Sequence, residues 1–263
     1  REITGVGFKD CNIALTESDG DIEKSIEYLR IKGISKANKK MERIANEGLV
    51  CIYEKNDKSS IVQINCETDF VAKNLEFIKF SEEISELCFK NNGILNNLKK
   101  AKMADGNSVD DSLIKIISKI GEKIHLQRSA FFNYKNCMNF SYVHTSIKKN
   151  IGKLGVIVSI ESKNFNEKIK DFGHKLAMHV AASNPLVIDT PQFEQKIIDD
   201  EIKIISEELK NTGKKKDIQE KILKGRIEKF KQENSLINQY WVMDPKKRIK
   251  DVINDMGKEN SLI

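Results

Sequence analysis

The chain has 263 residues, of which 39% are hydrophobic and 32% are charged, enough for one large domain or two to three small ones. Its net charge is +6, from 45 basic and 39 acidic residues, which permits a weak attraction to nucleic acid without requiring it. No apolar run approaches the roughly 18–20 residues of a membrane span. The composition therefore favours a helix-rich soluble protein over a membrane protein.

The five cysteines are odd in number, and none forms a CxxC pair. This pattern predicts lone thiols in a reducing compartment rather than a disulfide framework. Residues 1–7 lack the apolar segment of a signal peptide. Whether a targeting segment lies upstream of them stays an open question. The Lys-rich segments at 36–40 and 214–216 contain no aromatic residue, which indicates solvated faces rather than single-strand nucleic-acid binding.

The first forty residues predict two short helices. Asp10 is the expected cap of the first helix, Gly20 its end, and Asp21 the cap of the second, which we expect to end at Gly33. Residues 36–48 predict a further helix or a linker. Because two helices of about ten residues cannot form a stable domain alone, an additional helix is expected to support them.

Segments 49–53 and 60–66 alternate apolar and polar residues, which predicts a β-hairpin with its loop at 56–59. One long helix is then expected from about residue 69 to residue 90, with Leu75 on its apolar stripe.

The rest of the central part predicts a mixture of helices and strands. Its order favours α+β units over a parallel sheet. The expected elements are a loop at 91–107, a helix at 109–120, strands at 123–134, 138–145 and 153–162, and an amphipathic helix at 166–182.

Residues 191–230 predict two charged helices joined at 211–214, an antiparallel hairpin with a coiled-coil seam that projects from the body. A short helix is expected at 245–253. The predicted domains are an N-terminal helical module (1–46), core subdomain N (47–135), core subdomain C (136–189), the helical hairpin (190–231), and the remainder of core subdomain C with a C-terminal module (232–263).

Catalytic motifs are missing from the sequence. It contains no GxxxxGK[ST] phosphate loop and no GxSxG nucleophile elbow, and Gly5-Val6-Gly7 lacks the third glycine of a dinucleotide fingerprint. The four histidines, at 125, 144, 174 and 179, do not have the spacing of zinc ligands. We therefore expect no covalent chemistry, no cofactor and no bound metal.

Three segments resemble the elongation factor Ts family: parts of 4–23, the segment 62–71, and 176–185. The second is the most specific, because it leads from a strand into Cys-Glu-Thr-Asp-Phe-Val. Weaker similarity continues at 224–226 and 242–245, so the resemblance covers nearly the whole chain in order. Two departures are a longer Lys/Asn-containing segment at 145–153 and no recognisable strand after residue 262.

The resemblance implies an α+β fold with a ubiquitin-associated-like N-terminal module, a two-part core with antiparallel sheets, and a protruding helical hairpin. It also implies a tip formed by Thr68, Asp69, Phe70 and Val71 that acts on the Mg²⁺ and phosphate site of elongation factor Tu. Phe70 would be the wedge, Asp69 would compete near the metal, and Thr68 would cap the following helix. The alternative for Phe70 is a core position or a hydrophobic staple of the following helix.

Three further residues are expected contacts for the partner: Phe8, Lys9 and His144. Core packing is the alternative for Phe8, and a structural role is the alternative for His144. Phe8-Lys9 replaces a pair that is often two methionines in the family, which alters this part of the expected surface.

The implied partner is elongation factor Tu in its GDP-bound and nucleotide-free forms, without direct nucleotide binding or membrane binding by this chain. The oligomeric state is left open between a homodimer and a heterotetramer with the partner. The frequent Lys, Asn and Ile residues are typical of an AT-rich genome, which predicts a plastid, apicoplast or mitochondrion, with the bacterial cytoplasm as the alternative.

Two other functions compete with nucleotide exchange at this level. One is a basic ribosome- or RNA-associated binding protein without exchange activity. The other is a ubiquitin-binding protein, which rests on the first forty residues alone and leaves the remaining residues unexplained.

Overall fold

The structure is a computed structural model that describes residue 4 and residues 6–40, 42–210 and 215–259. The chain divides into two compact units, residues 1–159 and residues 160–263. The first contains a five-stranded sheet with helices, and the second contains helices and a two-stranded sheet. The mixture of helices with antiparallel strand pairs confirms the α+β class.

The chain begins with helix α1 (Phe8–Glu17) and helix α2 (Ile22–Lys40). Asp21 caps α2 as predicted, because its carboxylate accepts a hydrogen bond at 3.0 Å from the amide three residues later. The predicted cap at Asp10 is wrong. Helix α1 already starts at Phe8, so Asp10 lies in its first turn, where a carboxylate favours the positive end of the helix dipole.

Gly33 lies inside α2 and does not end it. A Cβ atom at this position would lie 2.9 Å from Ser118 Oγ, so the glycine permits close packing against helix α6 (Val109–Ile120). An ion pair of 3.2 Å between Arg30 and Asp111 also joins the two helices. The N-terminal helices therefore gain stability from a helix of the core.

The predicted hairpin is present as strands β1 (Glu47–Lys55) and β2 (Lys58–Cys66). Asn56 and Asp57 form its two-residue turn with positive φ angles of 52° and 60°. This is the left-handed geometry that matches the twist of a hairpin, and it makes the loop shorter than predicted.

Strands β3 (Ile124–Phe132), β4 (Cys137–Lys148) and β5 (Ile151–Glu161) complete the sheet in the order β3-β2-β1-β5-β4. Strand β1 connects the two halves, since Val50 pairs with Gly152 in an antiparallel register. Strands from both predicted core subdomains therefore share one sheet, and the boundary between those subdomains stays a prediction.

The prediction of one long helix after β2 is wrong. The segment forms a single turn, α3 (Asp69–Ala72), followed by helix α4 (Leu75–Lys90). Asn74 separates them: its backbone is extended, and its side-chain oxygen accepts hydrogen bonds from the amides of Glu76 and Phe77 at 2.9 and 3.3 Å. An asparagine in this position starts a new helix.

The predicted loop at 91–107 contains a further short helix, α5 (Leu95–Lys100), which the fully buried Leu98 holds against the core. Helix α6 has the predicted bounds. Buried side chains of the sheet and of α3 to α6 form one apolar core, which includes Leu49, Ile64, Phe77, Ile84, Leu98 and Ile117.

The second unit starts with α7 (Glu167–Ser183), which Asn166 caps. The predicted hairpin follows as α8 (Gln195–Lys210) and α9 (Lys216–Asn234), and the connection predicted at 211–214 lies outside the described residues. Its two helices share an apolar seam that includes Ile198, Ile205, Leu209 and Ile227. An exposed ion pair of 2.6 Å between Glu208 and Arg226 fits the antiparallel arrangement.

The C-terminal part differs from the prediction of a helix at 245–253. Residues 244–248 form strand β7 (Asp244–Arg248), which pairs with β6 (Tyr240–Trp241). Helix α10 begins only at Ile249 and runs to Glu259. Backbone pairing with β6 therefore replaces the first turn of the expected helix.

His179 on α7 is fully buried, and both of its ring nitrogens are used. Nδ1 accepts a hydrogen bond from the Val242 amide at 3.3 Å, and Nε2 lies 3.0 Å from the Gln239 side-chain oxygen. Burial lowers the pKa of His179, so the neutral imidazole is the form that fits these partners. The prediction that this histidine is structural is confirmed.

Candidate functional site

The end of strand β2 leads directly into the predicted tip. Thr68 is the N-cap of α3, with extended backbone, and its hydroxyl accepts a hydrogen bond from the Val71 amide at 3.4 Å. The buried Cys66 thiol donates to the Thr68 carbonyl at 3.1 Å. Burial raises the pKa of Cys66 to about 12, which keeps this donor protonated. The predicted capping role of Thr68 is thus present.

Two carboxylates join the residues just before this turn to residues 122–123. Glu122 accepts hydrogen bonds from the Thr68 hydroxyl at 2.7 Å and from the Thr68 amide at 3.0 Å. In return, Glu67 accepts a hydrogen bond from the Lys123 amide at 2.6 Å and forms an ion pair with Arg43 at 3.3 Å. We call this arrangement the Glu67–Glu122 clamp. Hydrogen bonds to charged acceptors are the stronger kind, so the clamp fixes where the tip emerges.

Asp69 and Phe70 begin the turn and face solvent. Asp69 Oδ2 lies 2.8 Å from Lys73 Nζ, and this hydrogen-bonded ion pair holds the pKa of the Asp69 carboxyl below its ordinary value. The Phe70 side chain is 81% exposed. This exposure excludes a core position for Phe70, and its role as a contact for a partner stays a prediction.

The other half of the turn is inserted into the core. Val71 and Ala72 are buried in the apolar cluster formed by the sheet and the helices of the first unit. The short helix α3 is therefore amphipathic: Phe70 points outward from a base that Val71 anchors. Of the four predicted tip residues, Asp69 and Phe70 are available for contact, while Thr68 and Val71 support them.

The chain is similar to known proteins along most of its length. The family model described as "Elongation factor TS" matches residues 67–262. The elongation factor Ts of Maricaulis maris (strain MCS10) is 38% identical over 262 residues, which cover 98% of this chain and 84% of that protein. The chain belongs to the elongation factor Ts family.

Two other elongation factor Ts proteins give the same result. That of Caulobacter sp. (strain K31) is 39% identical over 263 residues, covering 98% of this chain and 84% of its own length. That of Gluconobacter oxydans (strain 621H) is 35% identical over 257 residues, covering 98% and 85%. As a member of the elongation factor Ts family, the chain is a translation elongation factor. These matches do not favour the alternative of a ribosome- or RNA-associated binding protein.

The three additional residues predicted to contact the partner are all at the surface. Phe8 and Lys9 are exposed at the start of α1, with Phe8 exposed by 73%. His144 is exposed on β4, and its Nδ1 lies 2.9 Å from the Tyr142 hydroxyl. Within the described part of the chain, no hydrogen bond, ion pair or ring contact joins these three residues to the tip. Their role as partner contacts stays a prediction.

Leu75 is a surface residue that sequence reasoning missed. It was expected on the buried stripe of a continuous helix, but it is the first residue of α4 and is 74% exposed. The break at Asn74 rotates it away from the core. The signal that was available in the sequence was Asn74 itself, a favoured N-cap residue.

The residues described by the structure contain no group of three or more His, Cys, Asp or Glu side chains placed to hold a metal ion. No helix in the same part of the chain is long and apolar enough to cross a membrane. Among the four tip residues, Phe70 is the most exposed.

Proposed function

We propose that the tip, residues 68–71, binds elongation factor Tu carrying GDP and promotes the exchange of GDP for GTP. The observation that carries this proposal is the exposed Phe70 on a turn whose base is buried and held by two carboxylates. A rigid aromatic side chain buries a large area at a small entropic cost, which suits a wedge between elements of a partner.

The Glu67–Glu122 clamp supports this role because it orders the turn before the partner binds. A preformed binding conformation avoids the entropic cost of ordering a loop at the interface. Glu122 holds both the amide and the hydroxyl of Thr68, so the direction of Phe70 is set within the free protein.

Asp69 supplies the electrostatic part of the proposal. Its carboxylate is ionised at neutral pH, since the Lys73 ammonium lowers its pKa. The Asp69–Lys73 pair is solvent-exposed and therefore weak, so the carboxylate is free to exchange Lys73 for donors of the partner near the Mg²⁺ site. Displacement of groups that hold the metal would weaken GDP binding.

Thermodynamic linkage completes the mechanism. A factor that lowers the affinity of its partner for GDP must itself bind the nucleotide-free partner more tightly by the same ratio. Binding of GTP then releases the factor. No covalent step is required, which makes the chain an exchange factor rather than an enzyme with a catalytic constellation.

The proposal also covers the cell compartment of the chain and its oligomeric state. The three relatives described above are bacterial proteins, which favours the bacterial cytoplasm over the predicted eukaryotic organelle. A homodimer and a heterotetramer with elongation factor Tu stay predictions, which light scattering of the purified complex would distinguish.

The test is the release of fluorescent GDP from elongation factor Tu, followed with and without the intact chain. We expect release to accelerate with increasing concentration of the chain and to saturate. A rate that does not change with concentration, for a chain shown to be folded by circular dichroism, would refute the exchange function.

A further inference from the structure

A basic cavity lies in the first unit on one side of strands β2 and β3, with a volume of about 630 Å³. Its walls come from three places in the sequence: residues 43–46, strand β2 and the start of β3. Polar and cationic groups dominate the lining, which includes Arg43, Gln63, Asn65, Lys123, His125 and Arg128. We call it the basic cavity.

An irregularity in the sheet builds one wall of this cavity. Asn65 pairs with His125 and Gln63 pairs with Arg128, which leaves Gln127 as an extra residue on β3. Side chains alternate between the two faces of a strand, so without the extra residue Arg128 would point to the opposite face, toward the core. The bulge thus places Arg128 on the same face as His125.

The cavity carries an excess of positive charge. Among the described residues that line it, none is acidic, whereas Arg43, Lys123 and Arg128 are cationic. Arg43 is partly neutralised by Glu67 at 3.3 Å. Arg128 donates from Nε to the Gln63 side-chain oxygen at 2.7 Å, and in the described part of the chain no carboxylate pairs with it. Its remaining guanidinium donors are available to an anion.

The polar wall is ordered in the free protein. A chain of hydrogen bonds runs from Arg128 through Gln63 to Asn65 and on to the Ala45 carbonyl, with lengths of 2.7, 2.9 and 2.8 Å. Such a network fixes the direction of the guanidinium before any ligand binds. The hydrogen-bond network does not include the Nδ1 atom of His125, which is buried without a hydrogen-bond partner.

The lining also limits the class of ligand. The described residues around the cavity include no Phe, Tyr or Trp, and His125 supplies its single ring, so the cavity offers no extended platform on which the bases of a nucleic-acid strand would stack. Arginine matches phosphate oxygens with its planar fork of donors, and asparagine and glutamine can contact polar ligand atoms. With a volume of about 630 Å³, the cavity is an open surface depression that phosphate groups can enter from solvent.

We propose that the basic cavity binds a small ligand with two or more phosphate groups, such as a nucleoside diphosphate or triphosphate. The sequence predicted no direct nucleotide binding, because it lacks a phosphate loop; this cavity holds phosphate by side chains instead. Arg128 contacts the phosphates with its remaining guanidinium donors, and the amides of β2 contact the rest of the ligand. Lys123, whose ammonium donates to the Arg43 carbonyl at 2.8 Å, adds positive charge beside them. Because Arg43 and Lys123 also contact Glu67 of the clamp, the site is tested without elongation factor Tu.

The experiment measures binding of a fluorescent nucleoside triphosphate to the intact chain, without elongation factor Tu, at about 0.15 M salt, where weak surface attraction is screened. We expect saturable binding that inorganic tripolyphosphate competes away and that weakens about tenfold in Arg128→Gln. Lys123→Gln is the second variant. Lys100→Gln removes an exposed charge outside the cavity and should bind as the original chain does.

Further outcomes separate the proposal from its alternatives. Absence of saturable binding would overturn it, and so would equal weakening in Lys100→Gln, which would indicate general charge attraction. Tight binding of a short single-stranded RNA, with none of the nucleotide or tripolyphosphate, would replace it by a nucleic-acid site. An NMR titration in which the nucleotide shifts the imidazole signals of His125 supports it, and an unshifted His125 contradicts it.

Discussion

Truncation of Phe70 to alanine tests the proposed wedge most directly. A phenylalanine side chain buries about 150–250 Å² when fully enclosed. Because Phe70 is 81% exposed in the free protein, roughly 120–200 Å² is available to a partner. At about 25 cal/mol per Å² this corresponds to an upper limit of about 3–5 kcal/mol, of which alanine retains a part.

The expected loss in Phe70→Ala is therefore about 2–4 kcal/mol, or between about 30-fold and about 1,000-fold in the second-order rate of GDP release. The lower part of this range is favoured, since interface area converts incompletely into affinity. Stability should change by less than about 0.5 kcal/mol, because the side chain makes little contact in the folded protein. Stopped-flow release of fluorescent GDP and urea unfolding give the two quantities.

Two variants control this experiment. Tyr134→Ala removes an exposed aromatic ring outside the tip and should leave the release rate unchanged. Leu75→Ala removes an exposed apolar side chain close to the tip in sequence, and we expect a smaller loss than for Phe70. A Phe70→Ala protein that exchanges at the full rate would refute the wedge, as would a loss of the same size in Tyr134→Ala.

Three further predictions concern the support of the tip and the two units. Glu122→Gln replaces a charged acceptor of two hydrogen bonds by a neutral amide with one acceptor oxygen, so we expect exchange to slow about tenfold. Glu86→Gln, which loses only an exposed ion pair, should not slow it, and equal rates would contradict the clamp. Because burial lowers the pKa of His179 below the unfolded value of 6.5, the unfolded chain takes up the proton first as the pH falls, so the free energy of unfolding should decrease as the pH is lowered through 6.5. Urea denaturation should show a smaller fall in His179→Gln; an identical fall would contradict this assignment. Gly48→Ala would place a Cβ atom 2.1 Å from a carbonyl oxygen of β2 at a φ of +143°, so the melting temperature should drop. Gly225→Ala, in open space within α9, should raise the melting temperature slightly. An unchanged melting temperature for Gly48→Ala would contradict the close approach.

The local patterns of the sequence were sufficient for many elements. The hairpin of β1 and β2, helix α6, helix α7 and the helical pair α8–α9 have period-two or helical spacing with clear caps and turn residues, and all are present. These signals act within a few residues, so the chain carries them without reference to the fold. The tip could be recognised for the same reason, since Thr68 to Val71 is a contiguous motif at the end of a predicted strand.

Other features depended on contacts that the local pattern does not specify. A glycine commonly ends a helix, but packing of α2 on α6 makes Gly33 a place of close approach within a continuous helix. Residues 245–248 were expected in a helix, and pairing with the neighbouring strand β6 makes them a strand. In both cases packing or strand pairing outweighed a local propensity of about 1 kcal/mol or less per residue.

The tip also combines a local sequence pattern with features that depend on folding. The capping threonine and the Asp-Phe pair that follows it form a local pattern, which is part of the resemblance that predicted the family. The contact of Glu122 with Thr68, 54 residues apart along the chain, and the burial of Val71 beside an exposed Phe70 arise only in the folded protein. Burial and a carboxylate clamp depend on chain segments that folding brings together, and no local pattern specifies them.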